Sequence, residues 1–307
     1  MRRAFAALPL LLFSACSDLE FRQARRLEDK REFDRAAASF ERVLEKSPGG
    51  ARETEVLVRL GRIYAEEFGR CERAVPLFEA AARMGAPSSR RPPTTFPMAA
   101  GTASLPAPPE RGRAPSVDWP ALARRALMSC PDYFPLRDGA RWVFVDSQSG
   151  GANMRLDIAL SRSSSTANAA GAYFAGRERF KEYRRSYEVE DFILWEGEPA
   201  GERAPILRYP YHEGLSWQAR RGGKLFTYHI DAAGVSVSVM AGSFSGCLKV
   251  KSSAAGDPAW VFDYYCPGVG RVKTTVGVPE GENPNTELAE SSLLSGALRG
   301  STGSPVK

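Results

Sequence analysis

The stretch AGSFSGCLKV, residues 241–250, sets Ser243, Ser245 and Cys247 among glycines, a composition suited to a nucleophile carried on a tight turn. A serine elbow needs G-x-S-x-G, with the serine at a strained junction between strand and helix. Here Phe244 holds the central position, and strand-like residues follow where the helix would have to begin. A thiol nucleophile at Cys247 would need an imidazole base within hydrogen-bond reach and a third group to orient it. The chain has 2 histidines. His229 sits in KLFTYHI on the face opposite Phe226, Tyr228 and Ile230, and His212 sits in the connection RYPYHEGLSW, so one reads as a strand residue and the other as a loop residue. Glu188, Glu190 and Asp191 lie near Arg184 and Arg185 and read as a charged strand or loop face. No C-x-x-C, H-x-x-x-H or acidic calcium loop occurs. The expectation is therefore a binding protein with no catalytic residue, no metal and no cofactor.

The cysteines are more informative. Setting Cys16 aside, Cys71, Cys130, Cys247 and Cys266 form an even set that allows three pairings in an oxidising compartment. Cys247 opens one strand and Cys266 closes the next, with SSAAGDP turning between them, so a hairpin brings the two to opposed or diagonal positions. A one-residue slip in register would separate them. Cys247 with Cys266 is the preferred pair. Cys71 with Cys130 then ties a helical hairpin to the helix after it, and buried free thiols are the alternative.

Arg2 and Arg3 precede a short apolar run from Ala4 to Phe13, well under the ~20 residues a spanning helix needs, so the N-terminus reads as a secretory signal. Phe13-Ser14-Ala15-Cys16 resembles the lipobox of bacterial lipoproteins, with phenylalanine where leucine is usual and Leu12 one step earlier. The resemblance implies that Cys16 becomes the acylated first residue of the mature chain, held at the cell envelope by lipid. Ser17 after it favours the outer membrane, facing the periplasm. Several acyl chains on one residue give stable anchoring, because each buried CH₂ contributes ~0.8 kcal/mol.

The formal charge of +6 does not mark a nucleic-acid binder. Residues 17–86 hold 14 Lys/Arg and 14 Asp/Glu, and residues 126–307 hold 20 of each. The excess lies in the signal and in a basic connecting segment, whereas nucleic-acid binding calls for a basic folded face or a continuous arm.

Two helical hairpins follow the signal, FRQARRLEDKREFDRAAASFERVLEKSP and TEVLVRLGRIYAEEFGRCERAVPLFEAAARMGAP. Ala36 aligns with Ala74, Phe40 with Phe78 and Val43 with Ala81, a constant offset of 38. The second copy carries Leu57, Leu60, Gly61 and Tyr64, then Ala74, Phe78 and Ala81; the first carries Phe33, Ala36, Phe40 and Pro48, with Ala24 in place of a glycine. These residues resemble tetratricopeptide repeats, in which small residues let two helices approach and an aromatic fills the groove beside them. The offset exceeds the usual repeat of about 34 and requires insertions, placed at Gly49 to Glu53 and at one position among Glu66 to Phe68. Two repeats bury little by themselves. The stretch SVDWPALARRALMSC, with Trp119, Leu122, Ala123, Ala126 and Leu127 at helical spacing and Asp118 and Pro120 at its start, is the expected cap.

Eight prolines between Pro87 and Pro115 mark an extended linker. After Cys130 the periodicity turns alternating. Strands are expected at Arg141 to Asp146, Met154 to Leu160, Tyr187 to Trp195, Ile206 to Tyr209, Leu225 to Ile230, Val235 to Val239, Cys247 to Lys251, Trp260 to Tyr265 and Arg271 to Val276. Turn signals lie at Ser149-Gly150-Gly151, Arg221-Gly222-Gly223, Ala232 to Gly234 and Gly256-Asp257-Pro258. Tyr133-Phe134-Pro135-Leu136 with Gly139 and Trp142, and Ala241-Gly242 with Phe244, Cys247, Lys249 and Val250 ahead of Pro267-Gly268-Val269-Gly270, resemble an all-β domain of uncharacterised bacterial exported proteins.

The organisation expected is a signal and lipobox (1–16), two tetratricopeptide-like hairpins (17–86), a Pro-rich linker (87–115), a capping helix (116–130), an antiparallel β-domain (131–276) and a low-complexity tail (277–307). The fold class is α+β multidomain, helical hairpins followed by a strongly curved antiparallel sheet or partly closed barrel. The function expected is binding of a protein or peptide on the helical repeats in an envelope assembly. The alternative is an apolar ligand or lipid carried in a β-domain cavity, and an enzyme of unknown type comes third.

Overall fold

The computed structural model describes residues 8–50, 52–84, 117–163, 166–198, 201–279 and 281–294, with side chains from residue 18 onward. The expected linker and the Cys16 side chain lie outside the described residues. The chain divides into two compact units, Met1–Arg124 and Arg125–Lys307.

In the first unit α1 (Leu8–Asp29) packs on α2 (Phe33–Lys46), and α3 (Glu53–Arg62) packs on α4 (Cys71–Met84), making two helical hairpins. Each helix hides an apolar stripe at three- and four-residue spacing, such as Ala36, Ala37, Phe40 and Val43 on α2. A Cβ added to Gly61 would lie 2.5 Å from Phe78 Cε1, so the bare α3 backbone rests against that ring. In the first hairpin Ala24 and Phe40 are fully buried, with Phe21 packed on Phe40 at 6.2 Å between centroids. A π-helical turn (Ile63–Glu67) follows α3 next to the insertion expected among Glu66 to Phe68, since a wider turn accommodates one extra residue without breaking the helix. The helix α5 (Trp119–Met128) starts where the Asp118 carboxylate accepts the Ala121 N–H at 2.9 Å, an N-cap. The division between the units falls within α5.

The second unit is a sheet of 12 strands, all paired antiparallel, in the order β6-β5-β4-β3-β2-β1-β12-β11-β10-β9-β8-β7. Its strands are β1 (Arg141–Asp146), β2 (Arg155–Ser163), β3 (Thr166–Ala175), β4 (Glu178–Glu190), β5 (Ile193–Gly197), β6 (Arg203–Arg208), β7 (Ser216–Arg221), β8 (Lys224–Val239), β9 (Gly242–Ala254), β10 (Trp260–Cys266), β11 (Gly270–Val278) and β12 (Gly281–Ser291). Each pairs with its neighbours in sequence except across the β6–β7 connection, and β1 pairs with β12. The two sheet edges are thus β6 and β7. The Trp217 indole donates to the Pro205 carbonyl at 2.7 Å and the Gly222 N–H donates to Glu202 at 2.7 Å, so side chains complete a nearly closed barrel. Inward residues form one core that includes Trp142, Ile158, Tyr187, Trp217, Leu248 and Leu288.

Several expectations are corrected. The segment expected as a tail contains β12, a central strand with Leu288 fully buried. Its polar sequence GENPNTELAES disguised it, and Pro284 is accommodated where the β11–β12 register shifts. The expected strand Tyr187 to Trp195 is a hairpin, because Asp191 and Phe192 both take positive φ (49° and 64°) and reverse the chain. The expected turn at Ala232 to Gly234 lies inside β8, where positive φ at Gly234 (+75°) serves a bulge within the strand. The strands β3 and β7 were not anticipated, since TANAAGAYFA and SWQARR lack a β-branched run.

Gly61→Val is expected to destabilise the helical unit by about 1–3 kcal/mol through overpacking on Phe78. Urea denaturation followed by circular dichroism checks this, and an unchanged unfolding midpoint would show that the ring does not confine that position.

Candidate functional site

On α1 the residues Phe21, Ala24 and Leu27 face the core, while Arg22, Arg25, Arg26 and Asp29 lie exposed on another face. Between these and Arg52 and Glu55 at the start of α3 lies an open groove of about 450 Å³. The Arg52 guanidinium sits 4.7 Å from the Phe21 ring centroid and 3.4 Å from Asp18. Glu55 accepts from Arg59 at 2.8 Å. Elsewhere in the unit the cations are mostly paired: Arg42 and Lys46 both bind Glu20, whose carboxyl those hydrogen bonds hold below its usual range, and Arg59 also binds Glu28 at 2.8 Å. Arg22, Arg25 and Arg26 have no partner among the described residues.

The repeat residues expected from the sequence sit elsewhere. Ala36, Phe40, Leu60, Gly61, Tyr64, Ala74, Phe78 and Ala81 are all buried, so they build the hairpins and none lines the groove. The groove residues were missed. Their signal was RQARR, in which i, i+3 and i+4 spacing puts Arg22, Arg25 and Arg26 on one helical face.

In the β unit Cys247 and Cys266 form a disulfide with 4.2 Å between Cα atoms. Tyr265 pairs with Leu248, so the two cysteines stand directly opposite at the next rung. Cys71 and Cys130 are each oxidised as well. Gly246 takes φ +70° where the β8–β9 register shifts, and its carbonyl accepts from the Tyr133 hydroxyl at 3.0 Å. Ser243 hydrogen-bonds Ser238 across the strands at 2.9 Å. The residues 241–250 thus form a bulged strand.

The structure brings His229 to Ser216, with Oγ and Nδ1 2.7 Å apart across the β7–β8 ladder. Among the described residues no carboxylate hydrogen-bonds this imidazole, so the orienting third group of a nucleophilic triad is missing. His212 bonds the Glu213 carbonyl. Among the described residues no group of three or more His, Cys, Asp and Glu side chains is placed to hold a metal.

Inside the barrel the Tyr183 and Tyr187 hydroxyls meet at 2.9 Å, and Tyr187 donates to Glu196 at 2.9 Å. Burial, then the Glu196 charge, pushes the Tyr187 phenol well above its usual range. An interior cavity beside Glu196 and Arg271 measures about 30 Å³, room for a water or two, whereas small-molecule sites run to several hundred Å³. A larger open trough of about 810 Å³ runs over β1 to β4, with Ala159, Ala170 and Gly171 among Arg141, Glu182 and Arg184.

Asp132, between the cis Cys130–Pro131 bond and Tyr133, has its carboxyl pushed up to about 6 by burial, against the opposing pull of Arg137 and the Phe134 N–H.

No family model matches the chain, and no curated protein matches it. Among solved structures it is similar to a protein of Bacteroides fragilis proposed to be exported and to have a YmcC-like fold, with 15% identity over 52% of this chain and 98% of that one, at a TM-score of 0.38. A proposed lipoprotein of Parabacteroides distasonis shares 14% identity over the same fractions, 52% and 98%, at a TM-score of 0.34.

Two outcomes are expected. Replacing Cys247 and Cys266 together by alanine lowers the unfolding free energy by about 3 kcal/mol, as the loop they close predicts, measured as a fall in the non-reducing denaturation midpoint. For Asp132 the folded carboxyl binds its proton more tightly than the unfolded one, so its charge opposes folding increasingly as pH rises through 4 to about 6. Asp132→Asn therefore melts higher than the parent at pH 7.5, and the difference vanishes near pH 4; a gap independent of pH would refute the assignment.

Proposed function

We propose that this chain is a lipid-anchored binding protein of the bacterial cell envelope, acylated on Cys16 and held at the outer membrane facing the periplasm. Its helical hairpins are of tetratricopeptide type and hold a protein or peptide partner within an envelope assembly. The observation that carries this reading is the groove between α1 and α3, lined by first helices of both hairpins and bearing three arginines without partners among the described residues. The packing of Gly61 on Phe78 supports the repeat type, because close approach of backbone and ring is what its small-large pattern provides. The sequence ahead of Cys16 supports the anchor, and among the described residues no helix is long and apolar enough to cross a membrane.

The carrier alternative would use the open trough of about 810 Å³ over β1 to β4, since the interior cavity beside Glu196 measures about 30 Å³. The enzyme alternative would rest on the Ser216–His229 contact, which no carboxylate orients among the described residues.

Cys16→Ala is expected to move the protein from the membrane to the soluble fraction while leaving its thermal unfolding unchanged. Fractionation checks this, and retention of the variant in the membrane pellet would overturn the anchor.

A further inference from the structure

We infer that the end of the barrel formed by the β1–β2, β3–β4 and β8–β9 turns docks on an anionic lipid surface, with Phe180 and Met240 as its apolar tips. The inference rests on the anchor proposed above only for placing the β unit beside a bilayer, and it adds a contact made by the protein itself. Among the described residues of the β unit two large apolar side chains are exposed, Phe180 and Met240, each at 56%. Both belong to this end. The Gly176 N–H donates to the Ala152 carbonyl at 3.1 Å, which ties the β3–β4 turn to the β1–β2 turn. A Cβ added to Gly150 would lie 3.6 Å from the Met240 Cε, so the β8–β9 turn carries that side chain to the same place. Residues 175–182, at the end of the β3–β4 hairpin, are all exposed. Phe180 is the extra residue where the register shifts opposite Tyr173 and Phe174, a bulge of the kind that re-aims a side chain, and its ring lies 6.0 Å from that of Tyr173.

The charges near these tips suit lipid headgroups. Residues 147–154 and 239–242 hold no charged side chain, whereas Arg177 to Arg184 carry four cations and two acids, Glu178 and Glu182. Glu182 lies 3.1 Å from both Arg179 and Arg184. Lys181 reaches over the Tyr173 ring, 5.8 Å from its centroid, so its stem covers apolar surface while the ammonium stays in water. Interfacial segments combine these parts: apolar side chains enter the boundary between headgroups and acyl chains, and neighbouring cations meet anionic lipid. A protein partner would call instead for a packed aromatic centre in a pocket, and the two tips here stand singly on separate turns. Two apolar side chains and a small charge excess hold a chain weakly, since even one acyl chain gives marginal, reversible binding. The contact therefore orients the β unit on a membrane to which Cys16 holds the chain. Salt weakens it, and loss of the anchor still frees the protein.

The test uses the full chain carrying Cys16→Ala, sedimented at low salt with vesicles of phosphatidylglycerol or of phosphatidylcholine. Expected is binding to phosphatidylglycerol above that to phosphatidylcholine, lost in about 0.5 M salt. The pair Phe180→Ser, Met240→Ser weakens it about tenfold. The pair Arg177→Gln, Lys181→Gln weakens it too and flattens its salt dependence while leaving both tips in place. All four positions are exposed, and an unchanged melting curve is the folding control. No sedimentation of the parent with phosphatidylglycerol, or equal sedimentation with the two lipids, overturns the inference. So does equal sedimentation of the parent and both paired variants, which would move the contact to another surface. Self-association in analytical ultracentrifugation that the Phe180→Ser, Met240→Ser pair abolishes, with no vesicle bound, also overturns it and makes the tips a contact between copies. None of these outcomes touches the anchor, which membrane retention of the chain with Cys16 intact reads separately.

Discussion

The β unit depends on one ladder, the pairing of β1 with β12. It joins the first and last strands of a meander, so that the sheet must curve until β6 and β7 face each other. Strand edges carry unpaired backbone groups, which invite association with another chain unless they are paired or covered. Here Trp217 and Glu202 cover the remaining seam with side-chain hydrogen bonds. Curvature of this kind needs places where the ladder yields. The register shifts in the β8–β9, β10–β11 and β11–β12 pairs supply them, with glycines or a proline at some of those steps.

The features that resemble chemistry in this chain mostly serve that closure. Gly246 gives the bulge its positive φ, Tyr133 holds the Gly246 carbonyl, and Cys247 meets Cys266 one rung from Leu248 and Tyr265. A nucleophile would need an exposed group beside a base, and Cys247 is fully buried and oxidised. The interior tyrosines and Glu196 satisfy one another in a space too small for a ligand, which makes them part of the packing.

The helical unit follows a different rule. Its stability lies in small residues set against aromatic rings, and several of its cations, Arg42, Lys46 and Arg59 among them, find carboxylates on another helix. The α1 arginines break that arrangement.

The sequence by itself determined the hairpins, the disulfide between Cys247 and Cys266, and the strands with strong alternation, because each is encoded by spacing over a few residues. The i, i+3, i+4 stripes of α2 and α3 and the turn between β9 and β10 are local, and local patterns survive in one dimension. Only the tertiary structure decided that 281–291 is a central strand, since its polar residues face outward and Leu288 alone reports burial. It also decided that Asp191 and Phe192 turn the chain while Gly234 does not, because which residue adopts positive φ depends on the strands paired on either side. The groove was half legible: helical spacing put Arg22, Arg25 and Arg26 on one face. That this face lies open beside Arg52 and Glu55 follows from where α3 stands in the helical unit, and helix packing is set by contacts between residues far apart in the chain.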